Sequence, residues 1–360
     1  MSDSPKPTNP NPTNPIARYR EARKERIDSL AQLSARDRVA VGAGAGGPGS
    51  DWTPSPDEVS VTESGTIEEK PGVSLWRSAW LRLRRNPVFL LGLTITIIFV
   101  LVAIFAPWIA PKDPVTGYLI DQVRRQTNPV PGPQPGFPLG GDHLGRDLLS
   151  RLIVGSRQTL IVGVLATFGG FIGGLILGTL AGALGGWVDS LVMRLVDVML
   201  SIPSLVLALS IGAVASRPSQ WTLIIAIAVV QVPIFARLLR GSLLAQRSSD
   251  HVLAAQALGI KRGPIIFRHM LPNAMGPVIV QATLALAVAI IDAAALSFIG
   301  LGDPDQRTPE WGAMLGQAQT YIYDHPHLAY YPAICIIVVA LGFTLMGESL
   351  REALDPKTRR

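Results

Sequence analysis

Long apolar segments dominate the sequence after residue 87 and restrict what the chain can fold into. About 20 helical residues cross a hydrocarbon core of about 30 Å, so apolar windows of that length predict membrane spans. Because lipid offers the backbone no hydrogen-bond partners, each span must be helical. The windows lie at residues 88–109, 158–184, 190–214, 221–241, 274–300 and 329–349. The sequence therefore predicts an all-α, polytopic membrane protein with six transmembrane helices.

Basic residues are distributed unequally among the segments that join these spans. If the N-terminus is cytoplasmic, arginine and lysine are more numerous on the cytoplasmic side, as the positive-inside tendency requires. We therefore expect a cell-membrane location with both termini in the cytoplasm. The net charge of +6 then reflects topology. No basic stripe is interleaved with base-stacking aromatic residues, so nucleic-acid binding is not predicted. Cys335, the single cysteine, excludes an intrachain disulfide.

The composition divides the chain into regions. Residues 1–70 are rich in Pro, Asn, Ser, Thr and Gly and lack the apolar residues needed for a core. We predict that they form a disordered cytoplasmic tail. Residues 88–356 form the membrane domain, and residues 357–360 form a short C-terminal tail.

An amphipathic segment, residues 71–87, joins the tail to the first span. Trp76, Trp80 and Leu83 are predicted to share one helical face, with arginines largely elsewhere. This pattern is typical of an elbow helix lying in the inner interface of the membrane. An aromatic belt with juxtamembrane arginines would place the same residues similarly, and the sequence leaves both interpretations open.

A polar run between two predicted spans has the features of a short, sharply bounded helix. It reads Asp250-His251-Val252-Leu253-Ala254-Ala255-Gln256-Ala257-Leu258-Gly259, and Leu271-Pro272-Asn273 follows a basic linker. Asp250 is the predicted N-cap and Gly259 the predicted stop. Because residues 250–273 are joined to spans at both ends, this loop can carry force from a soluble partner into the membrane.

This run resembles the cytoplasmic EAA loop of permease subunits in ATP-binding-cassette importers, in which two alanines precede a glycine and a later Leu-Pro. Other segments resemble the branch of that family that imports dipeptides and oligopeptides. They are Leu139 to Asp147 with Ser150-Arg151-Leu152, Leu296 to Gly302 with Trp311-Gly312, and Leu350 to Pro356. The similarity runs unbroken through about residues 75–356.

The resemblance implies a six-helix type I permease bundle that pairs with a second, non-identical permease subunit in the lipid bilayer. Two cytoplasmic ATPase subunits and an extracytoplasmic substrate-binding protein would complete the importer. The implied substrate is a di- or oligopeptide, with nickel or glutathione as alternatives within the family. An ATP-independent secondary transporter would need several intramembrane charges or inverted repeats with broken helices, and neither is evident in the sequence.

The polar loop is then the coupling helix, which moves with the ATPase subunits as they close on ATP. Its expected coupling residues are Asp250, Val252, Leu253, Ala254, Ala255, Leu258, Gly259, Leu271 and Pro272. Leu253 stands where the family's loop has a glutamate, which favours apolar docking through Val252, Leu253 and Leu258 over a salt bridge.

Several kinds of chemistry are not expected. The sequence has no Gly-x-x-x-x-Gly-Lys-Ser/Thr phosphate loop, so we do not expect the chain to bind or hydrolyse ATP or to be an enzyme. No cofactor is implied. Asp324-His325-Pro326-His327 is a weak metal candidate, because a proline separates the imidazoles and no cysteine assists.

Small residues recur every fourth position in the second span. They are Gly170, Gly174, Gly178, Gly182 and Gly186, and the fifth span carries a matching row of Ala285, Ala289, Ala293 and Ser297. Flat faces of this kind allow another backbone to approach closely. We expect the two rows to pack on each other or on the partner permease; hinge flexibility for the glycines is the alternative.

Asp292 lies in the fifth span, where an unpaired carboxylate costs about 3 kcal/mol on insertion scales. It should face a water-filled cavity, a cation such as a peptide ammonium group, or a structural partner within the bundle. With Ser297 it forms the candidate translocation path. In the third span, Arg194 and Asp197 are predicted to form an interfacial charge pair.

Overall fold

The computed structural model describes residues 75–124, 126–215, 217–305 and 307–354. Within these ranges the regular structure is helical, and extended residues pair only in isolated bridges. Five helices are long and apolar enough to cross a membrane, and a bent pair makes a sixth if it counts as one span. This confirms the all-α expectation. The predicted tails, residues 1–70 and 357–360, lie outside the described residues.

Helix α1 (Leu75–Leu83) precedes the first span, α2 (Pro87–Ile109). Asn86 caps α2 by accepting hydrogen bonds from two amides of its first turn, and proline suits the first helical position. Leu83 is buried where α1 packs on the last helix of the chain, whereas Trp80 is exposed. Leu83 and Trp80 therefore lie on different faces, contrary to the predicted shared face.

The second span is α3 (Leu148–Thr179), which continues into a π-helical turn, Leu180–Leu184. It begins well before the predicted residue 158. Asp147 fixes this start, because its Oδ2 atom accepts a hydrogen bond from Ser150 N over 2.9 Å.

The predicted third span is not a straight helix. It consists of α4 (Gly186–Ser201) and α5 (Ser204–Val214), which meet at an angle of 96°. Pro203 lies in the break, where its missing N–H and fixed φ end the preceding helix. The segment is thus a broken span or a re-entrant loop.

The remaining helices follow in chain order. They are α6 (Gln220–Gln246), α7 (Asp250–Ala257), α8 (Leu271–Phe298), α9 (Trp311–Ala318) and α10 (His327–Leu354). A short turn and a π-helical segment lead from α7 into α8, so the fifth span covers Arg262–Phe298. Helix α3 packs along α6, α8 contacts both, and α2 pairs with α10.

The glycine face of α3 closes on α6 of the same chain. A Cβ atom at Gly170 would lie 2.6 Å from Gln231 Cβ, and one at Gly178 would lie 2.8 Å from Ala236 O. Gly174 and Gly182 meet Phe235 and Leu243 of α6 in the same way. Only residues without a side chain allow α3 and α6 to approach this closely.

Gly186 does not belong to this face, contrary to the prediction. A Cβ atom there would meet nothing within 4 Å, and the residue begins α4 with a φ of +61°. The small-residue row of α8 does not pack on the glycine face either. Ala289 and Ala293 are buried in a separate cluster with Ala166 of α3 and Ile227 of α6.

The predicted pair of Arg194 and Asp197 is also replaced. Asp197 of α4 forms its ion pair with Arg237 of α6, and Asp189, one turn into α4, pairs with Arg240. Both salt bridges tie α4 to α6.

Candidate functional site

Helix α7 is bounded much as its sequence predicts at its C-terminus. Gly259 has a φ of +74° and donates a hydrogen bond to Gln256 O over 2.9 Å, while Ile260 N donates to Ala255 O over 3.1 Å. These two bonds define a Schellman motif, which glycine favours because other residues rarely adopt positive φ. At the other end Ser249 occupies the N-cap position, and Asp250 is the first helical residue rather than the cap.

The helix has one buried and one exposed face. Val252 is 0% exposed and Ala255 is also buried, both in a cluster with Phe235 and Leu239 of α6 and with Ile265. This burial holds α7 against one end of the bundle. Val252 therefore cannot dock on a partner, contrary to the prediction.

The opposite face presents apolar side chains outward. Leu253 is 49% exposed and Leu258 is 81% exposed, and Ala254 lies beside them. Exposed leucines on a short polar helix are typical of a protein contact surface. At the start of α8, Leu271 is half-buried against the cluster that contains Val252, and Pro272 is exposed.

The structure does not bring the two candidate path residues together. Asp292 lies half-buried on a face of α8 that also carries the exposed Val288 and Ile291. Among the described residues its carboxylate has no hydrogen-bond or ion-pair partner. Ser297 is instead buried within the bundle, against Gly302.

A cavity of about 330 Å³, which includes open solvent, lies at this buried end of α8. Its polar lining comes from Gln158, Gln220, Ser297, Asp303, Thr308 and Glu310. Glu310 caps α9 by accepting hydrogen bonds from Gly312 N and Ala313 N, each over 3.0 Å. Burial raises the pKa of the Glu310 carboxyl above its ordinary value, and the hydrogen bonds oppose that rise. Glu310 was not singled out from the sequence.

A buried polar network holds the loop between α2 and α3. Asp142 Oδ2 accepts a hydrogen bond from Arg146 Nε over 2.7 Å and lies 3.4 Å from Arg151 Nε. Arg151 is only 1% exposed and donates to Pro114 O over 3.0 Å. From the sequence, the segment that contains Arg151 is identified only by its resemblance to the importer family. The i,i+4 spacing of Asp142 and Arg146 was the available signal for the ion pair.

His143 borders this network. Its ring stacks on Tyr321 with centroids 5.7 Å apart, which joins the loop between α2 and α3 to the segment after α9. Burial lowers the pKa of the His143 imidazole, and the Arg146 and Arg151 charges lower it further, although Asp142 acts in the opposite direction.

The weak metal candidates are neighbours in space. The rings of His325 and His327 lie 5.9 Å apart at their centroids and meet edge to face. Among the described residues no group of three or more His, Cys, Asp or Glu side chains is arranged to hold a metal ion.

Two family models match the chain. Residues 174–360 match the binding-protein-dependent transport system inner membrane component, and residues 74–129 match the N-terminal transmembrane domain of oligopeptide transport permease C. The first match alone covers more than half of the chain.

Individual proteins are also similar. The dipeptide transport system permease protein DppC of Alkalihalophilus pseudofirmus is 41% identical over 295 residues, 81% of this chain and 93% of that protein. The glutathione transport system permease protein GsiD of Salmonella typhimurium is 41% identical over 284 residues, 79% of this chain and 91% of that protein. A solved inward-facing structure of the MetNI methionine ABC transporter aligns with a TM-score of 0.47 at 20% identity, covering 57% of this chain and 96% of that chain.

These matches include both α7 and the buried Asp142 network, and they confirm the resemblance drawn from the sequence motifs. A helical membrane bundle, with a short helix held at one end of two spans, is the architecture in which those motifs occur here. The chain therefore belongs to the family of binding-protein-dependent transport system inner membrane components.

Proposed function

We propose that this chain is one permease subunit of an ATP-driven importer of short peptides, and that α7 is its contact with the ATPase subunits. The observation that carries the proposal is the exposed face of α7, with Leu253 and Leu258 outward and Val252 locked into the core. A helix anchored on one face and apolar on the other transmits movement from a bound partner into the spans.

The ATPase contact is apolar rather than ionic. Full burial of a leucine side chain contributes about 1.5–3 kcal/mol. Burial of Leu253 and Leu258 against the ATPase subunit therefore stabilises the contact substantially. The sequence carries no phosphate loop, and in this proposal ATP hydrolysis takes place on the partner subunits. An extracytoplasmic binding protein delivers the substrate.

The topology follows from charge. Arg237, Arg240, Arg247 and Arg262 lie in the segments that precede and follow α7, and the helix α1 carries Arg82. The positive-inside tendency places α7 and both termini in the cytoplasm. The buried Asp142 network and α9 then face the extracytoplasmic side, where a binding protein arrives.

The substrate path lies against a second permease subunit. Asp292 has an exposed apolar neighbourhood and no partner among the described residues, and contact with lipid would be unfavourable for its carboxylate. In a water-filled path between two permease subunits the carboxylate stays hydrated. There it binds the ammonium group of a passing peptide. The similar permeases of dipeptide and glutathione systems support a short peptide as substrate, with glutathione as the alternative.

The ATPase contact is tested by Leu258→Asp, with the complex purified through a tag on this chain. We expect at least about a tenfold loss of co-purifying ATPase, because a tenfold change requires only about 1.4 kcal/mol. Tyr323→Asp is the matched control, since Tyr323 is 96% exposed but lies in the loop between α9 and α10. Equal ATPase recovery with both variants would refute the proposed contact.

A further inference from the structure

Two arginines at opposite ends of α7 bind the same end of α3. Arg247, which follows α6, donates from Nη2 to Ala183 O over 3.2 Å. Arg262, which follows α7, donates from Nη2 to the oxygens of Ala183 and Leu184 over 2.6 and 2.9 Å. Helix α7 thus lies between two arginines whose guanidinium groups donate to the same acceptor, Ala183 O. We call this pair of arginines the arginine clamp.

The acceptors are chemically suited to this contact. Ala183 and Leu184 end the π-helical turn of α3, and the last carbonyl oxygens of a helix lack intrahelical partners and carry partial negative charge. Guanidinium groups remain charged and offer several donors. Hydrogen bonds from charged donors are stronger than neutral ones. The arginine clamp therefore caps α3 from another part of the chain.

The backbone turns sharply next to the clamp. Gly185 and Gly186 have φ values of +69° and +61°, a conformation that other residues avoid. Beyond the turn, Asp189 of α4 accepts a hydrogen bond from Arg240 Nη2 of α6 over 2.7 Å. The arginine clamp thus binds the chain at the turn between α3 and α4, and α6 lies beside this turn.

We propose that Arg247 and Arg262 are positioning residues that carry movement of α7 to the turn between α3 and α4. The identity of the partner that moves α7 rests on the proposed function, whereas the clamp itself rests on the contacts above. Without the clamp, α7 keeps only apolar packing with the end of α3, in the cluster that contains Val252, Ala255 and Ala183, and its movement displaces α3 less. ATP hydrolysis would then be uncoupled from transport.

The test uses the complete importer in proteoliposomes, with ATPase subunits and binding protein, and a dipeptide as substrate. It compares Arg262→Ala and Arg262→Lys with the control Arg268→Ala. Arg268 is exposed in the same loop and has no hydrogen bond or ion pair among the described residues. The measurements are ATPase recovered with the complex, ATP hydrolysis and peptide uptake.

We expect Arg262→Ala to retain its ATPase subunits but to lower uptake per ATP at least about threefold, an effect typical of residues that couple two sites. Arg262→Lys should recover part of the loss, since an ammonium group can donate to both carbonyl oxygens. Arg268→Ala should match the wild type.

Normal uptake per ATP in an intact Arg262→Ala complex would overturn the proposal. Loss of the ATPase subunits from that complex would overturn it as well, because Arg262 would then belong to the docking surface. If Arg262→Ala is not recovered, Arg247→Ala and Arg262→Lys carry the test with the same measurements. Failure of the proposed function is seen separately, as a wild-type chain that co-purifies with no ATPase.

Discussion

Trp311 Nε1 donates a hydrogen bond to the main-chain oxygen of Leu152 over 2.9 Å, and so joins α9 to the first turns of α3. The buried indole also lies 5.8 Å from the ring of Phe99 in α2. A Cβ atom at Gly155 would lie 2.9 Å from Trp311 Cδ1, so the glycine leaves room for the indole. One side chain therefore joins the middle of α2 to the first turns of α3 and to the start of α9.

We expect Trp311→Phe to lower the midpoint of heat unfolding in detergent. Phenylalanine fills part of the indole pocket but donates no hydrogen bond, and one lost bond costs about 0.5–1.5 kcal/mol, to which the unfilled volume adds. Trp108→Phe is the control, because Trp108 is exposed at the end of α2. Equal midpoints for the two variants would show that the bond to Leu152 does not contribute.

The positions of most spans could be predicted from apolar windows, but the start of α3 could not. Arg151 and Arg157 interrupt the window, so the sequence places the membrane boundary after them. In the structure Arg151 is buried beside Asp142, and the helix passes through it without a break. Asp142, which neutralises Arg151, lies outside the apolar window. The sequence of the window alone therefore does not show that the arginine can be buried.

Helix α7, the proposed coupling helix, shows the same limit. Its length and glycine stop follow from local chemistry, and both agree with the structure to within a residue or two. Which side chains face outward depends on packing against α6 and Ile265, which lie outside α7. The sequence of α7 alone therefore does not show it. Val252 and Leu253 are equally apolar in sequence, and only packing separates the anchor from the exposed surface.

Protonation of His143 should weaken the packing of the loop between α2 and α3. Its pKa in the folded chain lies below the ordinary 6.5, so below that pH the unfolded chain binds more protons and stability falls as pH decreases. We expect the unfolding midpoint to drop between about pH 7.5 and about pH 5.5. His143→Phe keeps a ring against Tyr321 without titrating and should drop less. An identical pH profile for both proteins would contradict this assignment.

The glycine face of α3 should tolerate no side chain. A Cβ atom at Gly178 would lie 2.8 Å from Ala236 O and 2.9 Å from Leu239 Cβ. We expect Gly178→Ala to destabilise by about 1–3 kcal/mol through overpacking. Gly241→Ala in α6 is the control, since its Cβ atom would meet nothing within 4 Å and alanine favours helix. The midpoints of heat unfolding of the two variants are compared. Equal midpoints would mean that α3 and α6 can move apart without a loss of stability.

The role proposed for Asp292 depends on its charge rather than on its contacts. Among the described residues its carboxylate has no partner, so replacing it with an amide removes no bond within that part of the chain. A structural residue would instead be expected to hold a cation of its own subunit. The two interpretations predict different results for assembly and for transport.

We expect Asp292→Asn to assemble like the wild type and to lower uptake of a dipeptide with a free amino terminus at least about tenfold, as the loss of a charged hydrogen bond implies. Uptake of the N-acetylated dipeptide, which lacks the ammonium group, should be low in both proteins and insensitive to the substitution. Asp121→Asn, which changes an exposed carboxylate in the loop between α2 and α3, is the control. Reduced recovery of the Asp292→Asn complex, or unchanged uptake of the free dipeptide, would remove Asp292 from the translocation path.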